Sequence, residues 1–190
     1  MESSMSSIRL FILSSFDLVG PMHGHRLRLE AEQRHVSLWT DISVGAVYGA
    51  MTRLAGEGLL KQVGEEKDGN RPVRQIYDIT DEGRRILADL RHAGLSDIWY
   101  KHDPFDLALV RLDPGSARKL PGLLEQRLAA LEAQLAEATR IEEWAFPYIG
   151  ITKRAALKHG GHRLRAEIAY LRDVLSDIDA IVEEVAAGKV

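Results

Sequence analysis

The spacing of apolar positions changes character twice along the chain. Ile8, Phe11, Ile12, Ser15 and Phe16 follow a serine-rich start at helical spacing, and Gly20-Pro21 stops that segment. A second short helix is expected over about 23–34, carrying Leu27, Leu29 and Ala31. Asp41 and Ser43 are N-cap types, because a short side-chain oxygen can accept from a free N–H of the first turn. They precede a third helix with the stripe Val44, Val47, Met51 and Leu54, closed by Gly56 and Gly58. From Leu59 the pattern alternates: 59–63 and 73–79 read as strands, with the polar stretch 64–72 as the turn between them. Thr80-Asp81 then caps a fourth helix.

The second half is helical throughout. Asp103-Pro104 and Asp113-Pro114 each set a capping carboxylate before a proline suited to the first helical position. Leu124, Leu128, Leu131 and Leu135 step by four and three. So does a longer run through Leu157, Gly161, Leu164, Ile168, Leu171, Leu175, Ile178, Val182 and Val185. That spacing makes a seam which is buried only against another helix. Pro121 either starts or interrupts the first long helix, and 144–150, with Pro147 and Gly150, joins the two as an antiparallel hairpin. The expected fold is mainly α with a small β-hairpin. Residues 1–92 form a three-helix-plus-hairpin domain and 93–190 a helical, coiled-coil-like domain.

Composition removes several functional classes. The chain has 190 residues and no cysteine, so disulfide frameworks, thiolate catalysis and Cys-based metal sites are out, in keeping with a reducing cytoplasm. No apolar run approaches the ~20 residues of a bilayer span, and MESSMSS lacks the basic start of a secretory leader. His23 with His25, and His159 with His162, are the histidine pairs, but no carboxylate lies at matching spacing, so they read as surface residues rather than metal ligands. Glu142-Glu143 and Glu183-Glu184 point about 100° apart on a helix and form no acid–base couple. Neither a phosphate-cradling glycine loop nor a glycine-flanked serine is present. No enzyme, cofactor or metal site is expected.

A net charge of −3 gives no global basic signature. A nucleic-acid reading therefore has to stand on local features. The second and third helices resemble a helix-turn-helix, whose second helix enters the major groove. Outside its core stripe the third helix offers Ala46, Tyr48, Gly49, Thr52 and Arg53, and Ser43 at its start is placed to meet a phosphate. Segment 22–29 carries Arg26, Arg28 and two histidines, segment 69–75 carries Arg71 and Arg74, and neither contains an acid. The bland alternative is one packed helix in a small domain, with solvated arginines around it. On that view the chain is a non-catalytic protein-interaction scaffold.

The run Gly20-Pro21-Met22-His23-Gly24, then Gly45-Ala46-Val47-Tyr48, Leu54 and Glu57-Gly58-Leu59-Leu60, resembles the PadR family of transcriptional repressors. Gly69-Asn70-Arg71-Pro72 through Thr80-Asp81-Glu82-Gly83-Arg84 is similar to that family's wing and the helix cap after it. The likeness covers about 8–90, with two departures: His25 and Gly49 stand where the family usually has Tyr and Pro. The resemblance implies a homodimeric winged-helix repressor that binds a pseudo-palindromic operator and is released by a small molecule. It implies DNA contacts from His25, Arg26, Ser43, Tyr48, Gly49, Thr52 and Arg53, with Asn70, Arg71 and Arg74 on the wing. The dimer would form through Leu124, Leu128, Leu131, Leu135, Leu164, Ile168, Leu171, Leu175, Ile178 and Val182. Trp99, Phe105, Trp144 and Tyr148 are the aromatic candidates for an effector pocket, with ordinary packing as the alternative.

Overall fold

The first helix, α1 (Glu2–Val19), stops where Gly20 takes φ +85°, a conformation that suits only a residue without Cβ. The computed structural model describes residues 2–33, 43, 45–67, 72–98 and 102–188, with side chains from residue 7. They divide into two compact units, Met1–Trp99 and Tyr100–Val190.

In the first unit α1 is followed by β1 (Met22–His23), α2 (Gly24–Gln33), α3 (Ala46–Gly56), β2 (Leu60–Glu66), β3 (Arg74–Ile79) and α4 (Asp81–Ser96). The helical stripes meet in one core. Ile8, Ile12, Leu13 and Phe16 from α1 pack with Leu27 and Ala31 of α2, Val47, Met51 and Leu54 of α3, and Leu87 of α4. Asp17 ties α1 to α4 by accepting from Arg84 at 2.5 Å and Arg91 at 3.2 Å. α1 begins at Glu2, well before the apolar stripe, and α4 runs on to Ser96.

Two features of the sheet depart from the hairpin expected from sequence. Met22 and His23 form a third strand rather than the entry to α2, pairing antiparallel with Tyr77 and Ile76 in the order β1-β3-β2. β2 also continues through Gly64 to Glu66, where a turn was expected, because Glu65 and Glu66 pair with Gln75 and Arg74. The register shifts between Gln62 and Gly64, leaving Val63 as an extra, exposed residue.

Thr80 caps α4, its Oγ1 accepting from the Gly83 N–H at 3.0 Å. The same hydroxyl lies 2.9 Å from the Gly58 carbonyl oxygen and 3.2 Å from that of Leu59. Gly83 is buried against this join: a Cβ there would lie 2.3 Å from Leu59 O and 2.8 Å from Ile79 Cγ1.

The second unit holds α5 (Pro104–Val110), α6 (Pro114–Ala117), α7 (Leu120–Ala145), a 3-10 turn (Phe146–Tyr148), α8 (Ile151–Ser176) and α9 (Ile178–Ala186). Pro121 sits in the first turn of α7, where its missing N–H costs nothing, so it starts the helix. α7 and α8 run antiparallel: Glu132 pairs with Arg172 at 2.7 Å, and Glu142 lies over Gly161. The apolar run expected to be continuous over 157–185 is broken at Asp177, whose N–H bonds the Val174 carbonyl in a tightened turn. α9 then packs on α6.

Two expectations test these joins. Gly83→Ala pushes a methyl into a backbone oxygen that cannot swing away, and a loss of about 3 kcal/mol in unfolding free energy is expected from denaturant titration. Asp103 and Asp113 cap α5 and α6, and both carboxyls are held below the ordinary aspartate range. For Asp103 the main cause is the Phe105 N–H, with the Arg127 guanidinium second; for Asp113 it is the Ser116 hydroxyl, then the Ser116 and Gly115 N–H groups. A depressed carboxyl stabilises the fold above the unfolded value, about 3.9, and that contribution fades as pH falls through the native value. The melting-temperature gap between wild type and Asp113→Ala should thus be full at pH 6 and shrink below pH 4; a gap constant to pH 2 would refute the capping role.

Candidate nucleic-acid interface

The exposed arc of α3 is set by its buried one. With Val47, Ala50, Met51 and Leu54 facing the core, Ala46, Tyr48, Gly49, Thr52 and Arg53 all face solvent. Gly49 has open space where a Cβ would be, and Thr52 Oγ1 donates to the Tyr48 carbonyl at 3.1 Å. The helix starts at Ala46, and its N-cap position is Gly45, which offers no side-chain cap; Asp41 and Val44, expected at its start, lie outside the described residues. Ser43 instead supplies the acceptors: its Oγ and carbonyl oxygen lie 3.3 and 3.0 Å from the Ala46 nitrogen.

α2 packs against α3, and Tyr48 lies across the start of α2. His23 joins this pair of helices to the strands. Its backbone pairs with Ile76, its Nδ1 accepts from the Arg26 N–H at 3.0 Å, and its Nε2 lies 3.3 Å from Glu66 Oε2. The Nδ1 contact satisfies a first-turn N–H of α2 that has no partner within the helix. Sequence reasoning read His23 as a surface histidine in a basic segment, because its part in capping depends on a strand too short to show a period; its side chain is instead largely buried. The His25 ring stands 6.0 Å from that of His23.

Between α2–α3 and the strand pair lies an open cleft of about 610 Å³, walled by His23, His25, Tyr48, Thr52, Arg74 and Tyr77. Helix arc, cleft and projecting hairpin together have the layout of a winged helix, in which one helix and a two-stranded wing grip a duplex. Residues 12–89 match the transcriptional regulator PadR-like family. The resemblance read from sequence over about 8–90 thus holds for this segment. No curated relative matches the sequence.

The fold is also similar to solved PadR structures. Bacillus subtilis PadR in complex with operator DNA is 17% identical with a TM-score of 0.65, covering 90% of this chain and 98% of that one. The same protein in complex with p-coumaric acid has 17% identity and a TM-score of 0.65, over 94% and 99%. The PadR-like regulator BC1756 from Bacillus cereus has 19% identity and a TM-score of 0.56, over 91% and 98%.

Of the expected contact residues in this segment, His25, Tyr48, Thr52 and Arg74 line one cleft. Arg26 is exposed, whereas Arg28 is engaged by Glu32 at 2.9 Å. Arg74 reaches the cleft, and so does Glu65, an acid that a count along the chain places outside the contact segments. Tyr77 and Ile79 pack inward, as their strand alternation implies. Asn70 and Arg71 lie outside the described residues.

The second unit sorts the other predicted residues differently. Leu124, Leu128, Leu131, Leu171, Leu175 and Ile178 belong to a core between α7, α8 and α9 of the same chain. Leu135 and Ile168 line a groove between α7 and α8, floored also by Ala136 and Ala169 and flanked by Arg165 and Arg172. Leu164 and Val182 are half-buried.

Phe105, Trp144 and Tyr148, the described aromatics of the candidate set, do not make one pocket in this unit. Phe105 packs into the core, with the Arg127 guanidinium 4.7 Å from its ring centroid and Tyr170 edge-on at 6.2 Å. Trp144 and Tyr148 are 62% and 81% exposed, at the far end of a helix that climbs ~25 Å between Arg127 and Trp144. Trp99 lies outside the described residues. Among the described residues no helix is long and apolar enough to cross a membrane, and no cluster of three metal-ligating side chains occurs.

The capping by His23 is open to measurement. His23→Ala should speed hydrogen exchange at the Arg26 amide while leaving the Ile79 amide, deep in the sheet, unchanged. Equal exchange at Arg26 in both proteins would remove His23 from this role.

Proposed function

We propose that the chain is a ligand-responsive, DNA-binding transcriptional regulator, non-catalytic and cytoplasmic, acting as a homodimeric repressor on a pseudo-palindromic operator. One observation carries this reading: the solvent arc of α3, with Tyr48, Gly49, Thr52 and Arg53, stands beside a cleft that Arg74 of the wing helps to wall. A small-residue arc lets a helix approach base edges closely, while an arginine at the wing meets the phosphates. The likeness to a PadR bound to operator DNA supports the partner, and the likeness to one bound to p-coumaric acid supports a small-molecule effector.

In this reading a two-fold dimer sets two copies of α3 about one DNA turn apart. The groove of Leu135, Ala136, Ile168 and Ala169 is the part of the seam left for a second copy. Its small floor admits a close helix, and Glu143 and Arg165 stand on its rim beside the intrachain Glu132–Arg172 pair.

Selection from random duplexes, followed by mobility-shift titration over a range of salt, tests the whole reading. The selected site should be a two-fold repeat bound by two chains. Arg74→Ala should weaken binding on every sequence alike and lower the salt slope by about one. Tyr48→Ala should mainly reduce preference for the selected site. A folded wild-type protein that shifts no duplex at low salt would overturn the proposal.

A further inference from the structure

Tyr48 is 41% exposed, yet its ring does not hang free in solvent. It lies against the backbone of α2 at Gly24. A Cβ on Gly24 would stand 2.8 Å from Tyr48 Cε1, 3.0 Å from Cδ1 and 3.1 Å from Met51 Cε. The contact is closer than a methyl allows, so the ring occupies the very volume that any other residue at position 24 would fill.

Conformational need does not explain the glycine. Positive φ occurs among the glycines at Gly20, Gly58 and Gly188, whereas Gly24 has a backbone that any residue adopts. What position 24 excludes is volume. The contrast with Gly83 is informative, because there the added carbon meets a backbone oxygen at 2.3 Å. At Gly24 it meets two side chains, Tyr48 and Met51, and both line a cleft of about 610 Å³ into which the ring can swing. Crowding at Gly83 strikes the fold; crowding at Gly24 turns the tyrosine.

We propose that Gly24 is the positioning residue that aims the Tyr48 ring, so that sequence preference on DNA depends on a residue that contacts no DNA. The inference rests on the DNA-binding reading above. Gly24 acts as a flat floor against which the ring lies, with Met51 at its side. An added methyl lifts the ring toward the wing. The protein remains folded and keeps its phosphate contacts, but Tyr48 no longer meets the base edges it selects.

Two measurements, one of them free of DNA, separate this idea from the reading beneath it. In thermal melts Gly24→Ala should lower the melting temperature by a few degrees in wild type and in Tyr48→Phe, but not in Tyr48→Ala, where the ring is gone. Equal losses in all three backgrounds would show that the contact does not control the position. In mobility shifts on the selected and on scrambled duplexes, Gly24→Ala should cut the ratio of specific to non-specific affinity about tenfold, the size of one mismatched base pair. Its affinity for scrambled DNA should stay within about twofold. In the Tyr48→Ala background the same change should leave the ratio as it was. A coupled melt with an unchanged ratio overturns the positioning role while leaving the DNA reading intact. A wild-type protein that binds no duplex removes both.

Discussion

The backbone carbonyl of Leu59 is the point on which the N-terminal unit turns. It accepts from the Thr80 N–H at 3.1 Å, lies 3.2 Å from the Thr80 hydroxyl and faces Gly83 directly. Three elements are therefore joined at one oxygen: the chain entering β2, the chain leaving β3 and the first turn of α4. A buried carbonyl must be satisfied, and here the partner is the residue that also caps the helix. The hairpin leaves the helical core in a fixed direction as a result. This join is one of the points that set the position of Arg74 relative to α3.

A second fastening works from the opposite side of the sheet. Two residues, Met22 and His23, pair with the strand that carries Tyr77 and Ile76, so α2 starts from the sheet itself. Because α2 packs on α3, movement of the wing is resisted through His23 and felt at Tyr48. The same closeness places Glu65 in the cleft beside Arg74. An acid there opposes indiscriminate attraction to a polyanion, so affinity must come from well-placed contacts. A chain with net charge −3 is consistent with that economy of basic residues.

Much of this was readable from the residues because it is local or periodic. Thr80, Asp103 and Asp113 cap the helices they precede, and the α3 stripe puts Tyr48 and Arg53 outside. What escaped was short or non-local. A two-residue strand has no alternation to detect, and Glu65-Glu66 read as turn because their strand character comes from Gln75 and Arg74 across the ladder. Heptad spacing tells that a helix has an apolar seam, not which helix covers it. Leu124 and Leu171 are covered within one chain. Aromatics near each other in type, such as Phe105 and Trp144, were separated by the length of α7, a distance that sequence proximity to a junction or a tip does not convey.

The extra residue in β2 bears on how the molecule associates. β2 lies at the edge of the sheet, where a row of outward N–H and C=O groups would otherwise template a strand from another molecule. The bulge at Val63 breaks the evenness of that row, and Lys61, Glu65 and Glu66 surround it with charge. The wing is thereby kept from growing into a fibre-like ribbon.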